Sequence, residues 1–306
     1  MRLRKLMRHS SSRGGAPAAC ARALHSKFPT SALHLSINNH KPPNYPTHGH
    51  DTACQLCCLP KMCGIFCSIS RYNHVPPSES VKQLLESRGP DASNQIKIKC
   101  QADGRTTSYL TCHSTVLSLR GSVTTKQPFQ RPGSDDTLCW NGEAWAVNGE
   151  RPKGNDTAAM FDLLKQATDQ PIPPMDAREE GLLSTRSFAR ALSGVAGPYS
   201  FVFYDNKSCR VFFGRDFLGR RSLLWRVTSQ GDLMISSITD GASGDGWTEV
   251  EADGVYSIDL SSRSYSRDQT SDELSRWGEF SVSHAPYCCI GDDLADDQSV
   301  GSQTAP

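Results

Sequence analysis

The sequence lacks any continuous apolar segment long enough to cross a membrane. Its 306 residues are 37% hydrophobic and 21% charged, which is typical of one or two globular domains with a buried core. A membrane-spanning helix needs about 18 consecutive apolar residues, and no such run occurs. The formal net charge of +1 gives no overall electrostatic reason to expect binding to a polyanion. We therefore predict no membrane partner and no nucleic-acid partner.

Acidic residues are missing from the first 50 positions, which are rich in Arg, Ser, Pro and His. This composition is typical of a mitochondrial transit peptide, but upstream sequence that precedes the true start is the interpretation we favour. If these residues are upstream sequence, the protein is predicted to be cytoplasmic. If they are a transit peptide, it is predicted to be mitochondrial. Neither residues 1–61 nor the polar, acidic residues 264–306 show apolar periodicity. Both are predicted to be disordered flanks of a domain over residues 62–263.

Histidine is scarce in the predicted domain, where only His74 and His113 occur and neither is near Cys63 in sequence. A cysteine nucleophile needs a base that takes its proton. The stretch Met62–Phe66 (M-C-G-I-F) suggests another arrangement. If Cys63 is the first mature residue, its own α-amine, with a pKa near ~8, can be that base. A peptide bond to Met62 would remove this amine.

Two further motifs carry groups suited to acyl transfer. In Trp140-Asn141-Gly142-Glu143, the Asn141 side chain and the Gly142 N–H could stabilise an oxyanion, and Glu143 could bind an ammonium group. In Asn155-Asp156-Thr157, the Asp156 carboxylate could bind an α-ammonium group. Structural alternatives stay open for both motifs. Asn-Gly is typical of a tight turn, and an Asp ahead of a helix is typical of an N-cap.

Periodicity predicts an α+β domain. Ser78 is expected to cap a helix, and Asn155 to precede another. A third helix is predicted around Phe188. The clearest β signal is a hairpin of Tyr199–Tyr204 and Cys209–Phe213, and further strand-like stretches recur along the chain.

Five cysteines lie close together in sequence. A C-x-x-C pair can ligate zinc, but a structural site usually needs a second pair at a workable distance. We therefore expect no metal site, and keep a zinc-binding adaptor as a third hypothesis for function. The five are Cys54, Cys57, Cys58, Cys63 and Cys67.

The motifs occur in one order along the chain with three others: R-G-P-D at 88–91, G-P-Y-S-F-V-F-Y-D at 197–205 and F-G-R-D-F-L-G-R-R-S-L-L-W at 213–225. In this order they resemble the class II glutamine amidotransferase domain of the N-terminal-nucleophile hydrolases. Within that family, the resemblance is to the asparagine-synthetase-like members. The resemblance covers about residues 62–260. It implies an α+β fold, the four-layer αββα sandwich.

The same resemblance implies a role for each site residue. Cys63 would attack the side-chain amide of L-glutamine, releasing ammonia and leaving a thioester that water hydrolyses. Asn141 and the Gly142 N–H would form the oxyanion hole. Asp156, with Glu143, would bind the α-ammonium group of glutamine. No cofactor and no metal are implied.

Two departures from the family pattern bear on function. Val116 stands where the family usually has an arginine for the substrate α-carboxylate, and Arg120 is the expected substitute, since strand geometry would put it on the same face as Val116. The chain also has no S-G-G-x-D-S loop. We therefore expect that it cannot activate aspartate by itself, and that a separate ATP-dependent synthetase domain or chain would be its partner.

Two main hypotheses follow from these observations. The chain is either a glutaminase domain whose Cys63 becomes N-terminal, or a catalytically inactive regulatory or binding module that keeps the fold. The replaced arginine, the peptide bond to Met62 and the absent synthetase segment favour the second.

Overall fold

The computed structural model of the protein describes residues 61–101, 106–120, 123–241, 246–261 and 280–287. The prediction for the basic extension, up to residue 60, lies outside these residues. So do Cys54, Cys57 and Cys58, on which the zinc hypothesis depends.

β-Strands make up most of the regular structure of the described residues. Many are rich in β-branched and aromatic side chains, as in Y-S-F-V-F-Y-D, because these fit an extended, half-buried backbone. In chain order they are β1 (Gly64–Ser70), β2 (Ala92–Cys100), β3 (Ser108–Val116), β4 (Thr137–Gly142), β5 (Ala146–Val147), β6 (Val195–Ala196), β7 (Tyr199–Asp205), β8 (Arg210–Arg215), β9 (Leu224–Val227), β10 (Leu233–Ser236), β11 (Thr248–Glu249), β12 (Gly254–Asp259) and β13 (Val282–Pro286).

Two antiparallel sheets contain most of these strands. The first sheet has the order β11-β9-β10-β1-β3-β2, and the second has the order β13-β12-β8-β7-β4. The short strands β5 and β6 pair with each other. The predicted hairpin is confirmed as β7 and β8, which pair from Ser200 opposite Arg215 to Asp205 opposite Arg210.

Three helices accompany the sheets in the described residues: α1 (Glu79–Arg88), α2 (Asp156–Thr168) and α3 (Ala177–Ser193). Each follows a side chain that accepts a hydrogen bond from a backbone N–H of the first turn, as N-caps do. The caps are Ser78, Asn155 and Asp176. The predictions of a cap at Ser78 and of a helix after Asn155 are confirmed.

The two sheets pack face to face, and the helices cover their outer faces. Between the sheets lies an apolar core that includes Ile65 of β1 and Val211 of β8. On the far side of the second sheet, Phe188 of α3 packs with Phe201 and other apolar residues. Helix α1 packs against the first sheet through Leu85. The layers therefore run helix, sheet, sheet, helix, which confirms the predicted αββα sandwich.

The Asn141-Gly142 dipeptide is not a tight turn. Both residues belong to β4, where Asn141 lies opposite Ser200 and Gly142 opposite Tyr199. A Cβ atom on Gly142 would lie only 2.6 Å from the Cβ atom of Tyr199. The glycine is thus explained by the close approach of two strands, because any larger residue would clash there.

The prediction of a disordered tail from residue 264 is wrong for residues 282–286. These residues form β13, which pairs with β12 at the edge of the second sheet, and Ala285 is buried opposite Val255. A short edge strand is held mainly by backbone hydrogen bonds and a few apolar contacts, which leave little periodic signal in the sequence. The remainder of the predicted tail, residues 264–279 and 288–306, lies outside the described residues.

No helix within the described ranges combines the length and the apolar character needed to cross a membrane.

Candidate functional site

The six site residues predicted from the sequence line a single cleft. They come from four places in the fold: the start of β1, the loop after β3, the end of β4 with the residue after it, and the start of α2. Because these segments lie far apart in the chain, it is the packing of strands and helix that gathers them. The six are Cys63, Arg120, Asn141, Gly142, Glu143 and Asp156.

Cys63 immediately precedes β1 and is partly buried. Its Sγ atom accepts a hydrogen bond from the Leu117 N–H at 3.4 Å, and the thiol lies 3.7 Å from the Leu117 carbonyl oxygen. Burial raises the pKa of the Cys63 thiol, while the Leu117 hydrogen bond and the positive charge of Arg221 oppose the rise. The thiol therefore stays protonated near neutral pH, and reaction at Sγ requires a base that removes this proton.

Met62 fixes the chain just before the candidate nucleophile. Its N–H donates to the Arg88 carbonyl oxygen at 3.0 Å, and its Sδ atom lies 3.7 Å from Arg221 Nη1. Met62 also lines the cleft. While it is attached, the nitrogen of Cys63 is a peptide nitrogen, which is not basic.

Asn141 presents a buried hydrogen-bond donor at the cleft. The residue is 1% exposed, and its Nδ2 atom has no hydrogen-bond partner within the described part of the chain. Buried amide donors almost always have a partner, because leaving one unpaired costs about 1–3 kcal/mol. The Asn141 amide therefore retains a hydrogen-bond donor that no acceptor in the described residues uses.

Asp156 is the first residue of α2, but it is not the helix cap. The cap is Asn155, which accepts from the Thr157 N–H at 2.9 Å. Asp156 Oδ2 instead accepts from the Ala144 N–H at 2.6 Å and from Trp140 Nε1 at 3.2 Å. Burial raises the pKa of the Asp156 carboxyl group, and these two hydrogen bonds partly offset the effect. The N-cap alternative is therefore wrong, because the carboxylate joins β4 to the helix.

Arg120 reaches the cleft, though not by the route predicted. β3 ends at Val116, so Arg120 lies in the following loop and not on the same strand face. Arg120 Nε and Nη2 lie 3.1 and 3.0 Å from Glu143 Oε1, and Nη1 donates to the Ala144 carbonyl oxygen at 2.9 Å. The loop thus places a guanidinium directly beside the Glu143 carboxylate.

Several other residues that line the cleft were not among the predicted site residues, and Gln127 and Arg221 are two of them. Gln127 lines the cleft and is 3% exposed. Arg221 also lines it and belongs to the motif at 213–225, which contains none of the predicted site residues. A single Gln in a polar loop has no sequence signature of burial, since only the loop path decides whether it turns inward.

Within the described ranges, no group of three or more His, Cys, Asp or Glu side chains is placed to hold a metal ion.

Comparisons with known proteins identify relatives for about two thirds of the chain. No protein-family model matches it. The chain is 35% identical over 218 residues to asparagine synthetase domain-containing protein 1 of Bos taurus, covering 67% of this chain and 30% of the relative. It is 34% identical over 208 residues to the Homo sapiens protein of the same name, covering 66% and 29%. The chain thus spans less than a third of the length of these curated relatives.

Among solved structures, the chain is similar to a glutamine phosphoribosylpyrophosphate amidotransferase from B. subtilis, complexed with ADP and GMP. The TM-score is 0.34 and the sequence identity 16%, over 64% of this chain and 46% of the other.

Proposed function

Since the chain is a relative of the asparagine synthetase domain-containing proteins over 67% of its length, we propose that it is a glutaminase domain, which hydrolyses L-glutamine to glutamate and ammonia. The observation that carries the proposal is the cleft itself. It places a cysteine, a buried amide donor that is unpaired within the described residues, and the Arg120–Glu143 pair around one space. These are the groups that an amide-bearing amino acid would need.

In the proposed reaction, the Sγ atom of Cys63 attacks the side-chain amide carbon of glutamine. The thiol proton passes to the α-amine of Cys63, and from there to the departing nitrogen, which leaves as ammonia. A γ-glutamyl thioester remains on Sγ. Water then attacks this thioester, and glutamate leaves with the regenerated thiol. The scheme requires a mature chain that begins at Cys63, because only then is the amine available.

The oxyanion that forms during each attack would be stabilised by Asn141 Nδ2 and the Gly142 N–H. An amide donor held in a buried strand is preorganised, so it need not reorient as charge develops on the substrate oxygen. Asn141 has this position at the end of β4, with its Nδ2 donor unpaired within the described residues.

The charged ends of glutamine would be bound by the other three residues. Arg120 would bind the α-carboxylate, since its guanidinium has five N–H donors and the three observed contacts use one each from Nε, Nη1 and Nη2. Glu143 and Asp156 would bind the α-ammonium group. An amino acid with both charges would then match the cleft better than a simple amide.

A separate ATP-dependent synthetase domain or chain would use the ammonia. This part of the proposal rests on the names of the relatives, of whose length the chain spans 30%.

The lining of the cleft also offers an observation that favours the alternative of a non-catalytic module. Val116, which lines the cleft where the family resemblance calls for arginine, offers no donor to a carboxylate. The two proposed functions differ in whether the protein hydrolyses glutamine.

The test compares two proteins that differ by one residue: one begins at Cys63, and the other retains Met62. We expect the first to release glutamate from glutamine and the second to be inactive, with Cys63→Ala inactive in the shorter protein. A shorter protein that binds glutamine without hydrolysing it would support the non-catalytic module instead.

A further inference from the structure

We propose that Gln127 is a positioning residue, which holds β4 and α2 at the separation that the substrate requires. The identity of the substrate rests on the proposed function. The contacts of Gln127 with β4 and α2 do not depend on that function.

The Gln127 side chain bonds to both elements. Its Oε1 atom accepts from the Trp140 N–H at 2.6 Å, and its Nε2 atom donates to Thr157 Oγ1 at 3.4 Å. Trp140 directly precedes Asn141, the proposed oxyanion donor. Thr157 directly follows Asp156, the proposed ammonium acceptor. One buried amide therefore bridges the immediate neighbours of two groups that must act on opposite ends of the same molecule.

The outer edge of β4 explains why a side chain is needed here. β4 is the last strand of its sheet, so one of its edges faces away from the neighbouring strand β7. On that free edge, the N–H and C=O groups of Leu138 pair with the backbone of Phe129, at 2.9 and 2.7 Å. The next N–H on the same edge, at Trp140, donates to the side chain of Gln127. The amide thus replaces a strand partner at the end of β4 nearest the site, where a continued ladder would otherwise be required.

A glutamine matches both partners as observed, with an acceptor for the Trp140 N–H and a donor for Thr157 Oγ1 on one planar group. A glutamate keeps the acceptor for Trp140 and can bond Thr157 only if that hydroxyl rotates to donate, and a methionine of similar length lacks both polar atoms. Asp156 makes a separate link to Trp140 through the indole N–H. Loss of Gln127 should therefore shift the Trp140–Asn141 backbone without detaching β4 from α2.

The experiment compares Gln127→Met and Gln127→Glu with the matched control Gln130→Met, in the protein that begins at Cys63. Gln130 lies three residues further along and bonds to the far end of β4, where its Nε2 atom contacts Thr137 Oγ1 at 3.0 Å. We expect Gln127→Met to lower kcat/KM for glutamine by about 10- to 100-fold, because small misplacements of reacting groups are costly. Gln127→Glu should recover part of the loss, and Gln130→Met should stay within about twofold of the parent.

A second readout does not depend on turnover. In NMR spectra, Gln127→Met should shift the Trp140 indole N–H and the Asn141 side-chain amide, and Gln130→Met should leave them in place. If the parent protein has no glutaminase activity, the proposed function fails and the NMR shifts alone test the positioning role of Gln127. Shifted resonances in Gln127→Met would then still support that role. The proposal would be overturned if these two resonances did not move in Gln127→Met. If Gln127→Met does not fold, the same result in Gln127→Glu would overturn it. So would a kcat/KM for Gln127→Met within twofold of the parent.

Discussion

Arg120 Nη2 lies 3.0 Å from Glu143 Oε1, with 18% of the arginine side chain and 33% of the glutamate side chain exposed. The two groups thus form a partly exposed pair of opposite charges at the wall of the cleft. Such a pair contributes little to stability, typically below about 1 kcal/mol, because solvent screens it. Its position in the cleft supports the proposal that the cleft binds a molecule with both charges.

Arg120→Ala should raise KM for glutamine by about 10- to 100-fold with a smaller effect on kcat, since the carboxylate lies away from the reacting amide. Steady-state kinetics of glutamate release measure this. Arg120→Lys is the control, because it keeps the charge but loses the planar fork, and should show an intermediate KM. An unchanged KM in the alanine variant would show that the carboxylate is bound by another group.

Asn141→Ala should lower kcat by about 10²- to 10³-fold and change KM little, because the proposed oxyanion donor acts mainly in the transition state. The variant also removes an orphan donor, so thermal unfolding should show no large loss of stability. Kinetics paired with a melting curve test both effects. A kcat near that of the parent would rule out Asn141 as the oxyanion donor.

Asp156→Asn should affect stability and binding in opposite directions. Burial raises the pKa of this carboxyl above the ordinary value of 3.8, so the folded state binds the proton more tightly than the unfolded state. The parent therefore loses stability as pH rises from about 3.8 through the folded pKa, and the asparagine variant does not. The difference in Tm, variant minus parent, should become more positive over that range.

The same substitution should weaken glutamine binding by about tenfold or more, because a charged partner of the α-ammonium group is lost. Calorimetric titration with glutamine measures this loss. A Tm difference that is independent of pH would contradict the raised pKa, and unchanged affinity would contradict the binding role.

Alkylation of Cys63 should be slow at pH 7 while Met62 is attached. Burial raises the thiol pKa above its usual 9.0, so the reactive thiolate becomes abundant only at higher pH. The rate of iodoacetamide labelling at Cys63, followed by mass spectrometry of the Cys63 peptide, should still be rising at pH 9. Cys63→Ser identifies the signal. A labelling rate that levels off below pH 8 would contradict this prediction.

Local sequence signals predicted several elements correctly. The cap at Ser78, the start of a helix after Asn155 and the hairpin of β7 and β8 each depend on residues that are close in sequence. Such signals are readable because capping and strand alternation are short-range preferences. The β2 strand was not predicted, since much of A-S-N-Q-I-K-I-K-C is polar and exposed at a sheet edge.

The sequence by itself determined which chemical groups the chain carries and, through the order of its motifs, the layered fold that holds them. Tertiary structure alone decided how those groups meet. The loop after β3, and not the strand, brings Arg120 to Glu143, and the path beside β4 turns Gln127 inward to bridge Trp140 and Thr157. These contacts join segments 13 to 30 residues apart. They depend on how strands and loops pack, which no local pattern encodes.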